Sequence, residues 1–391
     1  MAKFVYADNA ATTPVSREVI EAMAPCFTDV WGNPSSQYSK GYEAKNLLEE
    51  ARERIAKVLG CASSEIYFTS CGTESDNWAI KGAAAKMKKS GRDRIVTSAI
   101  EHHAVLHTCE ALAKEGFEVV YVGVDSDGII RLDELRAAVN DRTALVAVMY
   151  ANNEIGTVQP IAEISKIAHA AGALMFTDAV QAIGNIPTYI PELGVDMLSL
   201  SGHKIHAPKG IGLLYIKKGV VIPPLLDGGA QERRKRGGTE NLPYIVGLAK
   251  AIESAVERLP EMDAVKRKRD RLVEELLKIP YSRLNGCADR RLPGNANIGF
   301  EFIEGESILM MLDMVGICAS TGSACSSASL DPSHVLLAIG VPHEKAHGSV
   351  RLSISHETTD EDIDYIIEQL PPIVERLRAL SPLWEDLLKN K

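Results

Sequence analysis

From Ile66 to Thr177 the chain repeats one pattern: a short run apolar on both faces, then a segment with apolar residues at helical spacing, then another short run. Ile66–Thr69, Arg94–Ser98, Glu118–Val122, Ala144–Tyr150 and Ala173–Thr177 read as strands. Thr73–Met87, His103–Lys114, Leu132–Val139 and Ile161–Ala171 read as the helices between them. Successive strand residues face opposite sides of a sheet, so a run apolar on both sides needs cover on both faces. Helices that connect such strands supply it, and the long crossover makes the strands parallel. The pattern predicts an α/β fold built on a mostly parallel sheet, with ligands at the strand ends where the loops converge.

Two later runs break the rhythm. Val195–Leu200 and Gly210–Ile216 follow each other with only a lysine-bearing loop between them, so one is expected to run antiparallel. Helices at Ile245–Leu259 and Met262–Leu277 then lead to short strands around Asn295–Phe302, a helix at Glu306–Met314, a strand at Val350–Ser355 and a helix at Thr359–Leu377. A chain of 391 residues exceeds what one core organises, roughly 250–300 residues. Residues 15–259 are expected to form a large domain, and 1–14 with 260–391 a smaller α+β domain carrying a loop at about 320–330.

Composition narrows the class. With 46% hydrophobic and 24% charged residues the chain reads as soluble and globular, and a net charge of −9 without a long basic run argues against a nucleic-acid groove. The strongest basic patch, Glu232-Arg-Arg-Lys-Arg236, reads as a solvated loop or as a contact for a phosphate or an acidic partner. Seven scattered cysteines include no Cys-x-x-Cys pair, which points to a reducing compartment. The start lacks a signal-peptide core and no apolar run is long enough for a membrane helix, so a cytoplasmic location is expected.

Chemistry concentrates at the predicted strand ends. Lys204 follows the strand Val195–Leu200, where a desolvated amine can attack a carbonyl, although a surface lysine is the simpler reading. Asp178 ends the strand Ala173–Thr177, where helix capping is the ordinary role of such a residue. An Asp and a Lys at adjacent strand ends, 26 residues apart, are what a pyridoxal phosphate site requires: the lysine holds the aldehyde and the acid keeps the ring nitrogen protonated. Thr69-Ser-Cys-Gly72-Thr73 joins a strand to a helix N-terminus and is a candidate phosphate cradle, with Ser201 and His203 as further donors.

His102, after the strand at 94–98, could stack on a ring; His103, His107 and Cys109 pose a competing metal reading that lacks the glutamate of zinc proteases. Asn152 and Asn153 offer amides to a cofactor oxygen or to substrate, or form a turn. Ala319–Ser329 is a run of small residues around Cys325, an accessible thiolate candidate, whereas Cys318 reads as core packing. Arg351, inside a strand, needs a partner, either a substrate carboxylate or an internal ion pair.

Taken in order, Tyr6–Pro14, Gly32-Asn-Pro-Ser-Ser36, Glu101-His102, Asn152–Gly156, Asp178–Gln181, Ser201-Gly-His-Lys204, Arg236-Gly-Gly-Thr239 and Ser323-Ala-Cys325 resemble the cysteine desulfurases of the NifS/IscS-like kind, in the long catalytic-loop group. The resemblance implies a fold type I pyridoxal-phosphate enzyme with a seven-stranded sheet. It implies Lys204 as the cofactor's covalent partner, Asp178 on the pyridine nitrogen, His102 on the ring, and Asn153 and Gln181 on its oxygen side. Gly72, Thr73, Ser201 and His203 would hold the phosphate, with Thr239 reaching it across a homodimer interface.

Asn33, Asn153 and Arg351 would bind L-cysteine, and Cys325 would take its sulfur as a persulfide, leaving alanine. The persulfide would pass to an acceptor protein for iron–sulfur cluster assembly or thiolation, and Cys325 could hold an iron–sulfur cluster transiently; no resident metal is implied. A selenocysteine lyase or another fold type I aminotransferase or lyase is the alternative, and transamination would need no thiol.

Overall fold

The computed structural model describes residues 3–321 and 332–389. Strand β1 (Val5–Tyr6) opens the chain; β2 (Ile66–Thr69), β3 (Arg94–Ser98), β4 (Glu118–Val122), β5 (Thr143–Ala147), β6 (Leu174–Asp178), β7 (Met197–Ser201) and β8 (Gly212–Ile216) follow. The last seven form one sheet in the order β2-β8-β7-β6-β5-β3-β4. From β7 to β4 all neighbours are parallel, and β8 runs antiparallel to β7 and β2. Only residues 202–211 separate β7 from β8, too few for a crossover, which takes roughly a dozen residues or more. The C-terminal ends of β2, β3, β5, β6 and β7 therefore open on one edge.

Both sheet faces are buried, and alternation along each strand sorts the side chains. Val146, Met175, Leu198 and Leu200 pack with Ile55, Leu59 and Ile252 from the helices Ser39–Leu59 and Leu242–Glu257. Leu145, Ala147, Phe176 and Met197 face the other way, onto Trp78, Ile80 and Val105 from the helices Gly72–Lys88 and His103–Lys114.

A second core draws Val5 and Ala7 together with Met262, Leu272, Ile298, Phe300, Leu312, Val350 and Leu370. Its sheet has the order β12-β10-β9, with β9 (Ser282–Leu284), β10 (Asn295–Phe300) and β12 (Ser349–Ser353) antiparallel. β11 (Ile317–Cys318) pairs in parallel with β1 and leaves Cys318 half-buried beside a buried Ile317. The N-terminal segment ties the two bodies. Asp8 bridges to Ser353, and further on the Thr13 N–H donates to the His203 carbonyl at 2.9 Å.

The segment read as a solvated basic loop is built otherwise. Glu232 is buried, Arg233 lies over the Tyr67 ring at 4.3 Å, and Arg236 pairs with Glu74. Glu232, Arg233 and Arg234 take φ of 43°, 56° and 64° in succession. For residues with a Cβ this left-handed conformation costs roughly 1–2 kcal/mol each.

Candidate active site

β7 ends in Ser201 and the chain turns through a short 3-10 segment, Gly202–Lys204. The turn carries the Lys204 ammonium to the N-terminal segment, where Nζ donates to the carbonyls of Ala10 and Ala11 at 2.6 Å each. This half-buried ammonium thus finds main-chain oxygens as acceptors. Asp178, at the end of the neighbouring β6, accepts the Val180 N–H at 2.9 Å. Burial pushes its carboxyl upward, against the Val180 N–H and the Lys204 charge.

Behind Asp178 stands a second acid. Asp76, on the helix Gly72–Lys88, accepts the Ser199 hydroxyl at 2.6 Å, and Ser199 is the cross-strand partner of Asp178. Burial, then the nearby Asp178, holds the Asp76 carboxyl well above the ordinary range. Two acids in one low-dielectric pocket do not both ionise readily. Of the two, Asp178, with an N–H and an ammonium in support, is the more readily ionised. Glu101 is a third buried acid, pushed by burial up to about 8 despite hydrogen bonds from Ser98 and the Met149 N–H.

His102 caps the helix His103–Lys114, its Nδ1 accepting the Ala104 N–H at 3.1 Å. Burial, then Lys204, lowers it to about 4, so the ring is neutral with its proton on Nε2. His203 falls to about 4 for the same reasons, first burial and then Lys204, and its Nδ1 lies 3.1 Å from the Thr12 hydroxyl. Arg351, in the middle of β12, reaches in from the smaller body. Its Nη2 donates to Asp8 Oδ1 at 2.8 Å and its Nη1 to the Asn153 carbonyl at 2.9 Å.

Gly72, Thr73, His102, Asn153, Asp178, Gln181, Ser201, His203, Lys204 and Arg351 all line one cavity of about 250 Å³. Asn33 and Thr239 do not. Asn33 is exposed and caps its own turn through the Ser35 N–H, while Thr239 is exposed on a surface loop. Cys325 lies outside the described residues. Among the described residues no group of three His, Cys, Asp or Glu is placed to hold a metal ion; His103 and His107 stack instead, 5.0 Å apart.

The cavity also takes in Asp76 and Met149, which the sequence did not single out, and Ala10, Ala11 and Cys71, which it named only within longer stretches. The alanines act through carbonyls, which leave no side-chain signature. Asp76 follows Thr73 on the same helix and reads as an ordinary helical acid. Its position one turn beyond the phosphate candidate was the available signal.

The lining matches pyridoxal phosphate in order. At one end, the N-terminus of the helix Gly72–Lys88 meets Ser201, and a Cβ added at Gly72 would come within 2.9 Å of Val180 Cγ2 and 3.5 Å of Ser201 Cβ, so the turn stays open only with glycine. Main-chain N–H groups and the helix dipole suit an anion there. At the other end Asp178 is a buried acid whose charge a protonated ring nitrogen would stabilise. A neutral imidazole and an amine lie between.

Residues 5–366 match the family described as Aminotransferase class-V. A protein of Methanosarcina thermophila named cysteine desulfurase IscS is 56% identical over 382 residues, covering 97% of this chain and 94% of the relative. One of Clostridium botulinum with the same name is 53% identical over 395 residues, covering 100% and 99%. A solved structure titled NIFS-like protein superposes with a TM-score of 0.91 at 42% identity, covering 96% of this chain and 100% of that one.

Proposed function

This chain belongs to the aminotransferase class-V family, and from that premise we propose how its residues carry out the desulfuration of L-cysteine. The protein is a pyridoxal-phosphate-dependent cysteine desulfurase, a sulfurtransferase. When bound, the cofactor supplies an electron sink that makes the substrate's Cα–H and Cβ–S bonds breakable.

Lys204 holds the cofactor and moves the substrate's α-proton, a role supported by its place at the end of β7 with Nζ steered by two carbonyls. Asp178 would hold the ring nitrogen's proton, His102 would meet the ring as a neutral imidazole, and Gln181 and Asn153 would serve its oxygen side, a reading supported by their lining one cavity. Gly72, Thr73, Ser201 and His203 would hold the phosphate. Arg351, oriented by Asp8 and Asn153, takes the substrate carboxylate in the planar fork that guanidinium groups provide.

Cys325 is the nucleophile. Its thiolate attacks the sulfur of cysteine, an S–S bond forms as Cβ–S breaks, Cβ takes up a proton, and the products are alanine and the Cys325 persulfide. The observation that supports this reading is that Ser320 exchanges main-chain hydrogen bonds with Arg351, 2.6 and 3.1 Å long. The segment bearing Cys325 thus departs from the residue assigned to the substrate carboxylate. Ser333 donates to Glu154 and His334 lies 3.0 Å from the Glu101 carbonyl, each beside a cavity residue in sequence, Asn153 and His102.

The working unit is a homodimer, with Thr239 of each protomer completing the phosphate site of the other. Its support is that Thr239 is exposed and absent from its own cavity, while Phe27, Trp31, Tyr38 and Tyr42 leave aromatic surface uncovered. The persulfide passes to an acceptor protein for cluster assembly or thiolation. A cytoplasmic location accords with six described cysteines that are all free. Among the described residues no helix is long and apolar enough to cross a membrane.

Cys325→Ala tests the assignment. The variant is expected to bind cofactor and cysteine and to release no sulfide under reductant; sulfide release at the wild-type rate refutes it and favours a thiol-independent lyase.

A further inference from the structure

The turn at Glu232–Arg234 is the only run of successive left-handed non-glycine residues among the described ones. Each Cβ crowds the following carbonyl, so the turn is uphill on its own. What holds it lies beneath. Arg52 Nη1 and Nη2 donate to the two Glu232 carboxylate oxygens at 2.9 Å each, and the Phe68 N–H donates to the same carboxylate at 3.1 Å. Both side chains are buried, and the Arg52 guanidinium lies 4.6 Å from the Phe68 ring centroid. Arg233 adds a second pin, donating to the Ile66 carbonyl at 2.6 Å.

The turn leads directly into Arg236, and Arg236 leads to the cavity. Its Nε and Nη2 donate to the Glu74 carboxylate at 2.9 and 3.3 Å. Glu74 in turn accepts the Ser70 N–H at 2.9 Å and the Ser70 hydroxyl. Ser70 is followed by Cys71-Gly72-Thr73, the cavity turn itself. The main chain from Glu232 to Arg236, and then hydrogen bonds from Arg236 through the Glu74 carboxylate to Ser70, link the buried Arg52–Glu232 pair to the anion end of the cavity; charge-assisted bonds of this kind are the strong and geometrically specific ones.

We infer that Glu232 is a positioning residue for the phosphate end of the cofactor site: clamped by Arg52, it holds the left-handed turn that aims Arg236 at Glu74 and so fixes the Cys71–Thr73 turn. The inference rests on the reading that this turn holds the cofactor's phosphate. Without the clamp, the turn relaxes to ordinary backbone, Arg236 withdraws from Glu74, and the carboxylate that accepts the Ser70 N–H loses its own anchor.

Removing Glu232 alone strands Arg52 as a buried unpaired cation, so the test uses Arg52→Met/Glu232→Met, which removes both charges together and keeps the volume filled. Full-length protein is freed of cofactor and titrated with pyridoxal phosphate, read by absorbance and by circular dichroism of the bound ring. The double variant is expected to fold and to bind the cofactor about tenfold or more weakly, one broken charge-assisted link. Arg236→Gln is expected to give a loss of the same size, and the triple variant no further loss, since all three sit in one chain. A double variant that binds as the wild type does, or losses that multiply in the triple variant, overturns the inference. Thr73→Ala separates it from the underlying reading: a loss there beside an unchanged double variant overturns the positioning role alone, and no loss in either overturns the phosphate assignment with it.

Discussion

Asp178→Asn should move the stability of the cofactor-free and cofactor-bound protein in opposite directions. Burial pushes the Asp178 carboxyl from 3.8 to about 6. A folded-state value above the unfolded one means stability that is present at low pH and declines as pH rises from about 4 through 6. At pH 7 the ionised Asp178 therefore costs the cofactor-free fold on the order of 3 kcal/mol.

Asparagine keeps the acceptor for the Val180 N–H and removes the charge. The cofactor-free variant should thus melt a few degrees higher than the wild type at pH 7, and no higher at pH 4, where the wild-type carboxyl is also neutral. With pyridoxal phosphate the sign reverses. A charge-assisted bond to the ring nitrogen contributes about 1.5–3 kcal/mol, so its loss should weaken cofactor binding about 10- to 150-fold. Differential scanning calorimetry of both forms at pH 4 and 7, with an absorbance titration, supplies the four comparisons. A cofactor-free variant that melts lower at pH 7, or unchanged cofactor affinity, refutes the reasoning.

Other sites give further expectations. Gly72→Ala places a Cβ 2.9 Å from Val180 Cγ2 and should weaken cofactor binding about tenfold, read by equilibrium titration, with little change in the melting of the cofactor-free protein. Arg351→Lys keeps the charge and loses the fork, so kcat/KM for cysteine should fall about 10- to 100-fold, mostly through KM, in steady-state assays. Glu101 titrates near 8 when folded, so wild-type stability in urea should fall as pH rises from about 4.5 through 8, and Glu101→Gln should flatten that decline. His102, lowered to about 4, should show no imidazole titration between pH 5.5 and 8.5 by NMR.

The layering was readable because burial leaves a mark on every strand. Residues facing both helix layers must be apolar, as Met175 and Phe176 are on opposite faces of β6. The antiparallel β8 was readable from the shortness of its connection to β7. Strand limits were less so. The run Ala144–Tyr150 stays apolar, yet β5 ends at Ala147: Val148 and Tyr150 still donate to Phe176 and Asp178 of β6, while the Met149 N–H goes to the Glu101 carboxylate.

The site residues that act through ionisable side chains at strand ends, Lys204, Asp178 and His102, stood out by type and position. Those acting through carbonyls, Ala10 and Ala11, could not. The Arg52–Glu232 clamp joins residues 180 positions apart, and nothing local distinguishes its glutamate from the solvated charges expected beside three basic residues. Only the packing of the Ser39–Leu59 helix against the turn reveals that this charge is buried.

The proposed chemistry stands on the path of the sulfur from cysteine to Cys325. A single turnover of cofactor-loaded enzyme with L-cysteine, without reductant, followed by thiol blocking, proteolysis and mass spectrometry, follows it directly. One alanine is expected per persulfide formed, with the added sulfur atom on the peptide containing Cys325. Alanine formation with the extra sulfur on another cysteine, such as Cys71 in the cavity wall, or with sulfur released only as free sulfide, would contradict it.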